Sequence, residues 1–119
     1  DGEPVAFVPK AGHLVTQFPS GKDATQVTLH NVATGGLIEG FPGRFLGVSP
    51  EGRWLATEGD YEEVYPGVQL WDLTTMQRKS TLFGGSDSIT SIAFSPDSRL
   101  LAIASSGATV ILIEDLAKL

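Results

Sequence analysis

The sequence predicts an all-β fold made of three similar units of short antiparallel strands, and three observations carry this prediction. Apolar residues alternate or cluster over strand-length stretches, while no stretch has a convincing helical period. The 14 glycines and seven prolines are spread along the 119 residues, which indicates frequent turns. Finally, three segments of the chain can be aligned with one another.

The repeated segments share two independent anchors. The first is a proline that follows an alternating strand in VAFVPKAGHLV, FLGVSPEGRWLA and SIAFSPDSRLLA. These prolines, at separations of 41 and 46 residues, are Pro9, Pro50 and Pro96. The second anchor is the valine of VTLHNV, VQLWDL and VILIED, at separations of 41 and 42 residues: Val27, Val68 and Val110. Two anchors with similar periods predict a true repeat.

Each unit divides, in chain order, into short strands with turns between them. The first unit predicts strands at 5–8, 14–18, 27–32 and 36–40. The second predicts strands at 45–49, 54–57, 68–73 and 78–83. The third predicts strands at 89–95, 100–105 and 109–113. The intervening PKAG, PEG and PDS are turn sequences, because proline presets φ and Gly, Asp and Ser tolerate a tight backbone.

A small residue recurs in the first strand of every unit, at Ala6, Gly47 and Ala93. Large side chains would collide there if the first strands converge on a common axis, so we expect such convergence. A plain antiparallel meander or a sandwich is the alternative, but neither has a reason to repeat every forty-odd residues.

The repeats resemble the WD40 family. The matching stretches are Phe94-Ser95-Pro96-Asp97 with Leu100-Leu101-Ala102, Val48-Ser49-Pro50-Glu51-Gly52 with Trp54-Leu55-Ala56, and Val68-Gln69-Leu70-Trp71-Asp72-Leu73. The stretch SPDSRLLAIA also resembles the SPDG-containing propellers of periplasmic transport proteins and of some serine peptidases, but VQLWDL favours WD40. Two units depart from the family's Trp-Asp pair, because His30-Asn31 replaces it in the first and Ile113 aligns with the Trp in the third. The family's Gly-His pair and turn Asp are also missing, since Gly84-Gly85 and Gly107-Ala108 stand near those places.

The resemblance implies a β-propeller, with blades of four-stranded antiparallel sheet around a channel. The whole of 1–119 forms one propeller segment, with blade one at about 5–40, blade two at about 44–83 and blade three at about 89–116 without its outer strand. Propellers typically close with four to eight blades, so we expect this ring to be incomplete. The remaining blades would come from a longer parent chain, which a start at Asp1 suggests, or from identical copies.

The excess of acidic over basic residues limits the classes of partner that the chain can bind. Eight basic and 14 acidic residues give a net charge of −6, so the basic surface that nucleic acids or anionic membranes require is missing. We therefore expect a protein or peptide partner, with a basic one favoured. The chain has no cysteine, which excludes disulfides and thiolate metal sites. The compartment stays open, with the cytoplasm favoured.

Catalytic and cofactor motifs are not evident. SGKD lacks the glycine and hydroxyl of a phosphate-binding loop, and GGSDS lacks the closing glycine of a nucleophile elbow. The histidines, His13 at a turn and His30 at a strand position, lack carboxylates at metal-ligand spacing. The sequence thus predicts a chain that is not an enzyme and carries no cofactor.

The stretch EGDYEEVYPG, 58–67, is the candidate partner-binding site. It joins the two middle strands of the second unit, where the third unit has only SSGAT. Its candidate contact residues are Glu58, Asp60, Tyr61, Glu62, Glu63 and Tyr65. Tyrosines beside carboxylates suit a partner rich in Arg and Lys, although a solvated loop or a hard-metal site stays open. The resemblance places this loop on the upper face of a propeller.

The sequence therefore predicts a protein-interaction or scaffold module, with Pro9, Pro50, Pro96, Trp71 and Asp72 as structural repeat positions. Two alternatives remain at this point. One is an accessory propeller of a peptidase or kinase whose catalytic domain lies outside this chain, and the other is a structural ring segment without a ligand.

Overall fold

Three antiparallel sheets follow one another along the chain in the computed structural model. The structure describes residues 3–8, 12–18, 26–58, 67–82, 89–105 and 111–118. No helix in these ranges is long and apolar enough to cross a membrane.

The strands keep their sequence order within each sheet. Sheet 1 contains β1 (Glu3–Val8), β2 (His13–Phe18), β3 (Gln26–Asn31) and β4 (Leu37–Pro42). Sheet 2 contains β5 (Arg44–Val48), β6 (Trp54–Glu58), β7 (Val68–Asp72) and β8 (Gln77–Leu82). Sheet 3 contains β9 (Ile89–Phe94), β10 (Leu100–Ser105) and β11 (Ile111–Asp115), and a 3-10 helix (Leu116–Lys118) follows.

The predicted fold class is confirmed: the chain is all-β, with blades of antiparallel sheet in a ring that does not close. The first ten predicted strands lie where alternation placed them, with ends that differ by a residue or two. The eleventh strand was predicted at 109–113; residues 109 and 110 lie outside the described residues, and the described strand Ile111–Asp115 extends two residues further than predicted. The run VILI has no alternation, so the sequence pattern could not fix the position of this strand.

The first strands of the sheets approach one another, as the recurring small residues predicted. Ala6, Gly47 and Ala93 occupy the same register position, because each pairs with the equivalent residue of the second strand: Val15, Ala56 and Ala102. A Cβ atom added at Gly47 would lie 3.0 Å from Ile92 Cδ1 and 3.7 Å from Phe94 Cε2. A side chain at position 47 therefore fills the space where β5 meets β9.

Two apolar cores lie between the sheets, one at each junction. We call the face of sheet 2 that packs against sheet 1 its N-side face, and the opposite face its C-side face. The faces of sheets 1 and 3 take the same names according to which register positions they carry. In sheet 2, Leu55 and Trp71 lie on the N-side face and pack against sheet 1, together with Leu73. Trp54 and Leu70 lie on the C-side face and pack against sheet 3. Sheet 2 is thus apolar on both faces and depends on a neighbour at each.

The side chains that sheets 1 and 3 bury in the two cores show which of their faces pack against sheet 2. The residues that sheet 1 buries against sheet 2 are Val8, Val15, Val27, Leu29 and Phe41. Sheet 3 buries Leu101 and Ile103, and the 3-10 helix that follows it buries Leu116. Both junctions therefore join the C-side face of one sheet to the N-side face of the next.

The turns after β5 and β9 are built identically. Ser49 Oγ accepts the N–H of Trp54 at 2.9 Å, and Ser95 Oγ accepts the N–H of Leu100 at 2.9 Å. The positions that follow Pro50 and Pro96 by two residues both have positive φ, 85° at Gly52 and 59° at Ser98. The serine hydroxyl, buried at Ser49 and half-buried at Ser95, satisfies a backbone donor that the tight turn would leave unpaired.

The convergence of the first strands leads to a test at Gly47. We expect Gly47→Val to lower the free energy of unfolding by about 2 kcal/mol, because the larger side chain must displace Ile92. Gly47→Ala should cost less, since Ile92 needs to move by only a few tenths of an ångström. Urea unfolding of both variants measures the difference.

The equivalent Ala93 provides the matched control. Ala93 is exposed, and none of the described sheets packs against its face, so Ala93→Val in the single copy should change the free energy of unfolding by less than about 0.5 kcal/mol. Equal losses at positions 47 and 93 would contradict the convergence argument.

Candidate interaction surfaces

Most of the predicted partner-binding loop falls in the gap at 59–66. Asp60, Tyr61, Glu62, Glu63 and Tyr65 therefore lie outside the described residues. Glu58, the last residue of β6, is half-buried and accepts hydrogen bonds from the Arg44 guanidinium, with Nε 3.0 Å from Glu58 Oε1. This carboxylate thus ties β6 to β5 in addition to beginning the loop.

The predicted repeat position Trp71 joins sheets 1 and 2. Its indole Nε1–H donates to Thr57 Oγ1 of the neighbouring strand at 3.0 Å. Its ring packs against the buried Phe41 of sheet 1, with 5.1 Å between ring centroids and a tilt of 59°. The polar end of the indole is therefore satisfied within sheet 2 while its apolar surface fills the junction.

Asp72, the other predicted repeat position in this sheet, holds the turn after β7. Its Oδ1 accepts the Thr74 N–H at 2.9 Å, and its Oδ2 lies 3.3 Å from Arg53 Nη2. Burial by itself raises the pKa of Asp72, but the Thr74 and Arg53 interactions outweigh burial and hold this pKa below its ordinary value. The Arg53 guanidinium also lies over the Trp54 ring, 4.6 Å from its centroid.

Strand pairing corrects the alignment of the third unit. Leu100 pairs with Asp115 as Trp54 pairs with Asp72, and Leu101 pairs with Glu114 as Leu55 pairs with Trp71. Glu114 therefore occupies the register position of Trp71, and the prediction that Ile113 replaces the Trp is wrong. Ile113 corresponds instead to Leu70.

Asp115 is the functional equivalent of Asp72 that the sequence alignment missed. Its Oδ1 accepts the Ala117 N–H at 3.0 Å, and its Oδ2 lies 3.7 Å from Arg99 Nη2. Asn31 caps the same turn in sheet 1, where Oδ1 accepts the Ala33 N–H at 2.9 Å. The signal was present in the sequence, because Arg53 and Arg99 both follow the repeated proline by three residues.

The three predicted proline positions lie in turns or outside the described residues. Pro50 and Pro96 are exposed in the equivalent turns of sheets 2 and 3, whereas Pro9 lies outside the described residues. His13, predicted at a turn, is instead the half-buried first residue of β2. Within the described ranges, no three His, Cys, Asp or Glu residues form a group that could hold a metal ion.

His30 stands at the register position of Trp71 in sheet 1, paired with Leu14. Its Nε2 lies 3.1 Å from Thr28 Oγ1 and its Nδ1 lies 3.3 Å from the Gly35 carbonyl oxygen. Thr28 in turn hydrogen-bonds to Thr16. The ring is therefore held against its own sheet and takes over the structural place of the indole, as the sequence predicted.

The C-side face of sheet 3 is an exposed apolar surface. Ile113 is 62% exposed, whereas its equivalents Leu29 and Leu70 are both 0% exposed. A groove of about 210 Å³ runs across this face. Its lining residues are Ala93, Phe94, Ser95, Leu100, Ala102 and Ile113.

The N-side face of sheet 1 is exposed in the same way. Phe7 on β1 is 69% exposed, although its equivalents Val48 and Phe94 pack into the two cores. Leu14 is half-buried, whereas its equivalents Leu55 and Leu101 are fully buried. Among the described sheets, one face is thus uncovered at each end: the N-side face of sheet 1 and the C-side face of sheet 3.

Comparison with known proteins supports the repeat assignment. Residues 76–114 match the family model described as WD domain, G-beta repeat. The match begins just before β8 of sheet 2 and extends almost to the end of β11, so one sequence repeat joins the last strand of one sheet to three strands of the next. No curated protein matches the sequence.

Two solved structures share the fold. The structure of U3-55K and the crystal structure of the RRP9 WD40 repeats each align with 95% of this chain, with a TM-score of 0.72 and 16% sequence identity. The chain covers 35% and 34% of their respective lengths. It therefore spans about a third of the length of each of these two chains.

The environment of Asp72 leads to a pH-dependent prediction. A carboxylate whose pKa is lowered on folding stabilises the folded state above its ordinary pKa of 3.8, and this contribution is lost as the pH falls through the lower, folded-state value. We expect Asp72→Asn to lower the free energy of unfolding by about 1 kcal/mol at pH 7, since Arg53 loses its partner.

The difference between the two proteins should shrink as the pH falls below about 4, as measured by urea unfolding between pH 7 and pH 2.5. Asp115→Asn is the matched control, because the Arg99 contact is longer and more exposed and should give a smaller difference at pH 7. A difference for Asp72→Asn that stays constant down to pH 2.5 would show that the ion pair contributes nothing.

Proposed function

We propose that this chain, whose residues 76–114 match a WD-domain repeat and whose fold is shared with WD40-repeat structures, is a protein-interaction or scaffold module within a larger or oligomeric propeller. Scaffolding of protein interactions is the general role of such propellers. The proposal assigns the chain binding and not catalysis.

The two uncovered end faces are the observation that carries this proposal. Each sheet of the chain carries large apolar side chains on both faces, and the equivalents of Ile113 and Phe7 are packed wherever a neighbouring sheet is present. Exposed apolar surfaces of this kind mark places where another protein surface packs. In addition, among the described strands β11 pairs only with β10, which leaves one edge open for a further strand.

The acidic loop at 58–67 is proposed as a second contact, on chemical grounds. It joins β6 to β7, and loops tolerate insertion and carry binding residues more freely than strands. Three of its carboxylates, those of Asp60, Glu62 and Glu63, could engage the guanidinium groups of a basic peptide together with its two tyrosines, whereas Glu58 is held by Arg44. The net charge of −6 favours the approach of such a partner.

The open end faces lead to a direct measurement. Light scattering over a concentration series, combined with binding of the apolar dye ANS, reports whether the faces are covered or available. We expect the chain either to associate or, as a monomer, to bind the dye, because a face such as that around Ile113 exposes apolar surface. A monomer that binds no dye would contradict the proposal.

The acidic loop is tested with an arginine-rich peptide. Replacing Tyr61 and Tyr65 by Ala and Glu62 and Glu63 by Gln should weaken binding about tenfold, since two ion pairs and two aromatic contacts are lost. Fluorescence anisotropy of the labelled peptide at 0.15 M salt measures the affinity.

The control variant for the peptide experiment combines Glu39→Gln and Glu51→Gln, which removes the same charge from exposed positions on other elements. If the loop variant and this control bind the peptide equally well, the loop is only a solvated connection.

A further inference from the structure

We propose that the end faces bind a second copy of this chain head to tail, with the N-side face of sheet 1 seated on the C-side face of sheet 3. This inference rests on the proposed function and names one partner for the end faces. The chain already forms this type of interface twice, between sheets 1 and 2 and between sheets 2 and 3. A second copy would form it a third time.

The N-side face of sheet 1 has the composition that this interface needs. Its register positions can be compared one by one with the N-side face of sheet 2, which is packed against sheet 1. The equivalent pairs are Phe7 and Val48, Leu14 and Leu55, Thr16 and Thr57, Thr28 and Gln69, and His30 and Trp71. Apolar residues match apolar ones, and His30 keeps a ring at the aromatic position.

The residues on the C-side face of sheet 3 match those on the C-side face of sheet 2, which is packed against sheet 3. Ala93 corresponds to Gly47, Ala102 to Ala56, and Ile113 to Leu70. Leu100 corresponds to Trp54, so the largest buried side chain of this face is replaced by a smaller one. A groove of about 210 Å³ lies beside Leu100 and Ile113 on this face.

The internal junction predicts how the second copy is seated. Phe94 of sheet 3 lies against Gly47 of sheet 2, with its Cε2 3.7 Å from the position of a Cβ at residue 47. Phe7 is the equivalent of Phe94, and Ala93 is the equivalent of Gly47. Repetition of the junction therefore places Phe7 of one copy over Ala93 of the next, in the groove that Ile113 lines.

The charge of the chain sets the conditions for this association. Two copies with a net charge of −6 each repel one another at low ionic strength, so association should strengthen as the salt concentration rises towards 0.15 M. Apolar contacts drive it, because the side chains at the two faces that contact across the junction are mainly uncharged.

Complementation between two variants tests the inference. Ile113→Glu blocks only the C-side face of sheet 3, and Phe7→Glu blocks only the N-side face of sheet 1. Both side chains are exposed in the single copy, so both variants should fold. Circular dichroism of each variant checks this. Each variant alone should associate at least about a hundredfold more weakly than the wild type, because a carboxylate would have to be buried without a partner.

An equimolar mixture of the two variants should form a dimer and nothing larger, because each variant keeps one intact face and the two intact faces are complementary. Sedimentation velocity at 0.15 M salt separates the monomer from this dimer. A mixture that stays monomeric overturns the head-to-tail copy. If the wild type nevertheless associates or binds ANS, the interaction module itself stands, so the two proposals fail separately.

Cross-linking tests how the two copies are aligned in the same complex. The chain has no cysteine, so Phe7→Cys and Ala93→Cys introduce single thiols on two separate copies. A short bis-maleimide should link these two copies several-fold faster than it links Phe7→Cys to Leu37→Cys, an equally exposed position on β4. Equal rates would overturn the proposed seating of Phe7 over Ala93.

Discussion

The structure depends on the packing of one apolar sheet face against the next. Sheet 2 shows the constraint most clearly, because Leu55 and Trp54 are adjacent in β6 and are buried on opposite faces. A four-stranded sheet with two apolar faces cannot be stable in water by itself, since it buries its side chains only when both faces have a neighbour. The repeat is therefore a requirement for stability as well as a pattern in the sequence.

Polar interactions at the sheet ends set the geometry within which this packing occurs. The serine-closed turns after β5 and β9 and the Asx-capped turns at Asn31, Asp72 and Asp115 satisfy backbone groups locally. Gln17 links sheets 1 and 2, because its Oε1 accepts the Phe45 N–H at 2.7 Å. Directional bonds of this kind fix the positions of the strands, and the apolar faces supply most of the stability.

Prediction from the sequence succeeded where alternation and turn residues marked a strand. It failed in the third unit, where the position of the last strand was taken from the alignment with the other units. Ten strands followed from alternation and turn residues, and the register confirmed the equivalence of Ala6, Gly47 and Ala93. The alignment of the third unit relied on Val110 and on an apolar run without alternation. The pairing of Leu100 with Asp115 contradicted it, because the hydrogen-bond ladder and the Arg99–Asp115 contact determine the register of β11.

The sequence by itself determined that this chain is a series of repeated, all-β units, because strand alternation and turn chemistry depend on neighbouring residues only. It also indicated that three units are too few to close a ring. Only the tertiary structure decided which face of each strand meets another sheet. Alternation assigns side chains to two faces but does not say what covers either one. The exposure of Phe7 and Ile113 therefore emerged only when the sheets were placed together.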